Sequence, residues 1–77
     1  MKILVLPPGR YTSEKMDENG YLDIKEHSTV GDVLKILKMP KIIAKIWLTS
    51  VNGQIVPFNT ALKDGDTIGF FSGLSGG

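Results

Sequence analysis

The stretch "STVGDVLKILKMP", residues 28–40, decides how the rest of the chain is read. Thr29 has the side chain of a helix N-cap. Asp32, three residues on, makes an acidic variant of the capping box and also suits the positive end of the helix dipole. Val30, Val33, Leu34 and Leu37 then follow at i, i+3, i+4 and i+7 and form one apolar stripe. Pro40 disfavours helix in the residue before it, so the helix is expected to end at about Lys38 or Met39 after roughly three turns. Such a helix must bury its stripe, and the segments on either side of it read as strands.

Upstream, "KILVL", residues 2–6, is short, branched and apolar, and Pro7-Pro8 stops it. Residues 10–20 carry no clear period and read as a long loop closing on Asn19-Gly20. "YLDIKEH", residues 21–27, alternates Leu22 and Ile24 against Asp23 and Lys25, as a half-buried strand does. Downstream, "KIWLTSVNGQIVPF", residues 45–58, reads as two strands joined by Asn52-Gly53, the pair preferred where both central turn positions need positive φ. Residues 59–63 form a short connection. Asp64-Gly65-Asp66 is a tight turn before the last strand, "TIGFF", residues 67–71.

The order strand, strand, helix, strand, strand, strand predicts an α+β layer pair, one mixed sheet of four to five strands with a helix across it. That is the order of the β-grasp, or ubiquitin-like, fold. The expected organisation is one domain over residues 1–71 and a flexible tail over residues 72–77.

Composition narrows the function. Seventy-seven residues with a 42% apolar share support one modest core and no large cleft. Without cysteine there is no disulfide, thiolate metal site or cysteine nucleophile. Nine basic against eight acidic residues, with no dense basic run, give no support for binding nucleic acid or a membrane surface. The N-terminal apolar run lacks a cleavage site, and no stretch approaches the roughly 20 apolar residues of a bilayer span, so a cytoplasmic protein is expected.

The chain closes on "SGLSGG", residues 72–77. Gly73-Leu74-Ser75-Gly76-Gly77 satisfies the nucleophile-elbow pattern, but an elbow needs a following helix and a downstream acid and histidine. The only histidine, His27, lies upstream, where it reads as a strand-end or surface residue. A phosphate loop fails because no Lys-Ser/Thr and no helix follow the glycines. Asp64-Gly65-Asp66 has too few ligands for a cation site and reads as a turn held by its own side chains, so no metal site is expected.

The tail has one apolar side chain, Leu74, and three glycines, so little anchors it, and extended it reaches about 20 Å. Gly76 and Gly77 can pass a narrow channel with the terminal carboxylate leading. That carboxylate is ionised at neutral pH and is a poor electrophile, so another protein must activate it. A loosely ended chain with an inert tail is the plainer alternative.

"VNGQIV", then "ALKDGDTIGFF" and the terminal "LSGG", with "TVGDVLKIL" as the helix, resemble the MoaD/ThiS-type ubiquitin-like sulfur carriers, the small subunit of molybdopterin synthase and the thiamine-pathway carrier. The resemblance is strongest over residues 51–77. Ser72-Gly73 stands where many molybdopterin small subunits carry a stiff Pro-Pro pair, and "PPGRYTSEKMDENG" differs from the segment they carry after the first strand. The resemblance implies that an E1-like enzyme adenylates the Gly77 carboxylate, with Gly76 before it, and that a sulfur donor protein converts it to a thiocarboxylate. The sulfur then passes to a pterin or thiazole precursor in an acceptor synthase. The resemblance also implies that ATP and magnesium belong to the activating partner, and that this chain binds no cofactor and is a protein cosubstrate rather than an enzyme.

Docking is expected on the sheet face away from the helix. If Ile3, Val5, Ile68 and Phe70 point at the helix, alternation sends Leu4, Leu6 and Phe71 outward, beside Leu74 of the tail. The alternative is that the first loop covers them. Two other functions use the same residues differently: a ubiquitin-like modifier joined through Gly77 to target lysines, and a β-grasp interaction module with an inert tail.

Overall fold

The computed structural model describes residues 1–6, 14–40, 42 and 47–72. Strands β1 (Lys2–Leu6) and β2 (Tyr21–Asp23) precede helix α1 (Val30–Ile36). Strands β3 (Trp47–Val51), β4 (Gln54–Ile55) and β5 (Thr67–Ser72) follow it. The five strands form one sheet in the order β2-β1-β5-β3-β4, with β1 parallel to β5 and every other pair antiparallel. The last strand therefore lies in the middle, which is the β-grasp arrangement expected above.

The helix starts as its sequence requires. The Asp32 N–H donates to Thr29 Oγ1 at 3.3 Å, and the Thr29 N–H donates to Asp32 Oδ2 at 2.9 Å, closing the capping box. The next two orphan donors, the N–H groups of Val30 and Gly31, go to the carbonyls of Thr60 and Phe58. The connection before β5 is thus strapped onto the helix start, and it buries Leu62 in the core.

The helix ends earlier than Pro40 suggests. It stops at Ile36, and Lys38 turns left-handed at φ 56°. The Met39 N–H donates to the Leu34 carbonyl and the Lys38 N–H to the Lys35 carbonyl, which is the Schellman pattern. Leu34 and Met39 are both buried, so the apolar contact that accompanies this motif competes with a further helical turn. The strand expected over residues 21–27 is likewise shorter, because the chain turns at Glu26 and His27, where φ reaches 69°.

One face of the sheet carries the core. Ile3, Val5, Leu22 and Ile68 are fully buried against Val30, Val33, Leu34 and Leu37 of the helix and its C-cap, and Phe70 and Val51 pack on the same cluster half-buried. The period-2 alternation of the strands assigns these residues to the helix side.

At the opposite end from Ser72, two turns are tied together. Asn52 and Gly53 have φ of 53° and 88° in the hairpin turn, and Gly65 has φ 88° in the acidic turn. Asn52 Nδ2 donates to Asp66 Oδ1 at 2.9 Å, and Asn52 Oδ1 accepts from the Thr67 N–H at 3.0 Å. Asp66 Oδ2 takes the Lys63 N–H, and Asp64 Oδ1 takes the Lys2 N–H. Both carboxylates of this turn are therefore occupied by the protein's own donors, and among the described residues no cluster of three or more metal-ligating side chains forms.

Candidate functional site: the strand that leads to the tail

β5 is paired on both sides at Ile68 and Gly69. It pairs with β1 from Leu4↔Thr67 to Leu6↔Gly69, and with β3 from Val51↔Ile68 to Trp47↔Ser72. Among the described residues the β1 ladder ends at Gly69, and Phe70, Phe71 and Ser72 continue on β3. The strand runs through Ser72, one residue past the expected end, and then leads into residues 73–77. Leu74, Gly76 and Gly77 lie outside the described residues.

The face away from the helix is apolar around this exit. Leu6 is 54% exposed and Phe71 53%, while Leu4 is half-buried against Gly20, whose missing Cβ would come within 3.4 Å of a Leu4 methyl. Two further residues join them. Leu48 lies opposite Phe71 and is 45% exposed, and Ile55 lies opposite Ser50 and is 53% exposed. Tyr21, opposite Leu4, is also exposed, with the Lys2 ammonium 5.9 Å from its ring centre.

Gly69 forms the low centre of this face, between Leu6 on β1 and Ser50 on β3. A Cβ at Gly69 would stand 3.1 Å from Ser50 Oγ, and that hydroxyl donates to the Gly69 carbonyl at 3.3 Å. The floor is thus closed to bulk, and the Ser50 hydroxyl is already used within it.

Leu48 and Ile55 are not among the residues expected from the sequence. The signal was present, because "WLTSV" alternates: Thr49 and Val51 turn to the helix and Leu48 and Ser50 turn away. Of the expected docking residues, Leu4, Leu6 and Phe71 sit together on the outer face. His27 stands apart on an exposed turn.

The sheet edges offer little to a partner. At β2 the Tyr21 carbonyl already accepts from the Asp17 N–H, and Met16 bridges Leu22. At the other edge β4 is two residues long and Pro57 follows, removing a donor. The outer face, by contrast, carries the exposed apolar side chains of Leu6, Leu48, Ile55 and Phe71. No helix among the described residues is long and apolar enough to cross a membrane.

Among the described residues the one clear electrostatic shift is structural. The hydrogen bonds from the Thr29 backbone and then its side chain hold the Asp32 carboxyl below its ordinary value.

Comparison with known proteins agrees with this architecture. The crystal structure of SAMP1 from Haloferax volcanii superposes with a TM-score of 0.59, covering 99% of this chain and 97% of that one at 20% identity, a likeness of fold. Comparison with curated protein sequences gives no match. The ThiS family model matches residues 10–77, which takes in the helix, the Asn-Gly hairpin, all of β5 and the Gly-Gly tail, and the chain belongs to the ThiS family.

Proposed function

We propose that this chain is a sulfur carrier protein. An E1-like enzyme adenylates the Gly77 carboxylate: a carboxylate oxygen attacks the α-phosphorus of ATP and pyrophosphate leaves. Sulfur from a donor protein then displaces AMP, and the resulting thiocarboxylate gives its sulfur to an acceptor synthase in the cytoplasm. Molybdopterin or the related tungsten cofactor is the first destination and the thiamine thiazole the second. ATP and magnesium are used by the activating partner.

The observation that carries this reading is the course of β5. This central strand is paired with β1 from Thr67 to Gly69 and with β3 from Ile68 to Ser72, five residues before Gly77 in the sequence. Membership of the ThiS family supports it. A strand paired as far as Ser72 suits a carboxylate five residues further on that must enter one enzyme and then another, because the base from which it is presented is already ordered. Leu4, Leu6 and Phe71, extended by Leu48 and Ile55, supply the docking face, with Leu74 contributing from the tail.

ATP–pyrophosphate exchange by the activating enzyme, measured with and without this chain, tests the first step. Exchange that depends on the chain and vanishes when Gly76 and Gly77 are deleted agrees with adenylation at Gly77. Exchange that survives the deletion contradicts it. A modifier joined to target lysines through the same adenylate differs only in its final acceptor, and higher-mass conjugates that need Gly76 and Gly77 distinguish it.

A further inference from the structure

Asn52 is held in an unusual way for the first residue of an exposed Asn-Gly pair. Its backbone N–H donates to the Thr67 carbonyl at 2.8 Å, its side-chain oxygen accepts from the Thr67 N–H, and its side-chain nitrogen donates to Asp66. Gly53 has open space all round its Cβ position. An asparagine followed by glycine is chemically labile, because the glycine nitrogen is unhindered. The Gly53 nitrogen attacks Asn52 Cγ, the five-membered imide closes, ammonia leaves, and one water opens the ring to an aspartate or isoaspartate. Here the side chain must first swing away from Asp66 and Thr67, breaking two hydrogen bonds, before its carbon can meet Gly53.

We propose that Asn52 is a latched deamidation site: the contacts with Asp66 and Thr67 hold it unreactive, and its conversion to a carboxylate unlatches the β3–β4 hairpin from the 63–67 turn. The product has no donor for Asp66 Oδ1. Two carboxylates then face each other across a gap now closed by a 2.9 Å hydrogen bond. Asp66 is also the acceptor of the Lys63 N–H, so repulsion there loosens the turn. Thr67 is the first residue of β5, and the latch therefore secures the start of the strand whose other end leads to the tail.

The test follows deamidation by peptide mass in the full chain, kept folded at 37 °C and, in parallel, in concentrated urea. Asn19-Gly20, the same pair outside this network, calibrates the chemistry in the denatured sample. Opening two hydrogen bonds first makes conversion of Asn52 about tenfold slower or more in the folded chain; equal rates in the two samples overturn the latch. The second arm compares unfolding midpoints of N52D and N52D/D66N. N52D lowers the midpoint, and the double variant, which again sets one donor amide against one carboxylate, recovers most of the loss. An N52D protein as stable as the parent, or a double variant no better than N52D, contradicts the proposal. Should N52D fail to fold, recovery of folding in N52D/D66N supports the latch and its absence contradicts it.

Discussion

Phe71 and Leu48 stand directly opposite each other across β5 and β3, on the sheet face turned away from the helix, and about half of each is exposed. Such a cross-strand pair stabilises a sheet only modestly. In the proposed function its position beside the root of the tail makes it the centre of the docking face. Phe71→Asp and Leu48→Asp are each expected to weaken binding to the activating enzyme by tenfold or more, as loss of a central apolar anchor does, with the circular dichroism of the fold unchanged. Titration calorimetry on the two variants checks this, and parental affinity in both removes the docking face from the account.

Thr29 and Asp32 bond to each other in both directions at the start of the helix. Thr29→Ala is expected to cost about 1 kcal/mol in urea denaturation. The Asp32 carboxyl is depressed in the folded chain, so its contribution is complete above the ordinary value of 3.8 and fades as pH falls through the lower folded value. Asp32→Asn removes that part of the acid dependence. A stability curve with the same acid limb in parent and variant argues against the assignment.

Lys38 takes the left-handed position that ends the helix, where a Cβ is strained. Lys38→Gly is expected to stabilise the protein by about 0.5–1 kcal/mol, less the entropy glycine returns to the unfolded chain. A lower unfolding midpoint in this variant means that the lysine side chain contributes more than its backbone costs.

The buried Thr49 hydroxyl has no hydrogen-bond partner, although the residue is almost wholly enclosed opposite Phe70. Thr49→Val keeps the shape and removes the unpaired group, with an expected gain of about 1 kcal/mol. Loss of stability in chemical denaturation shows that the hydroxyl is satisfied in solution.

The fold is legible wherever a side-chain pattern repeats. The stripe from Val30 to Leu37, the alternation of Ile3 and Val5 against Leu4 and Leu6, and the Asn52-Gly53 turn each lead to their element, because burial rewards those periods directly. Pro40 draws attention from the true end of the helix, since the left-handed turn at Lys38 is stabilised by burial of Leu34 with Met39, a tertiary contact with no glycine to announce it. The strapping of residues 58–62 onto the helix is hidden for the same reason: its hydrogen bonds are backbone to backbone and independent of side-chain type. Leu48 and Ile55 could be found by extending the alternation to β3 and β4. The Asn52–Asp66 contact links two turns far apart in sequence and needs the structure.

In the proposed function the Gly77 carboxylate is the working group. The most direct test is the intact mass of the chain after incubation with the host's E1-like enzyme, ATP and a sulfide source. A sulfur carrier shows a shift equal to exchange of one oxygen for sulfur, absent when Gly77 is deleted. An unchanged mass, with an enzyme shown to activate another carrier in the same assay, contradicts it.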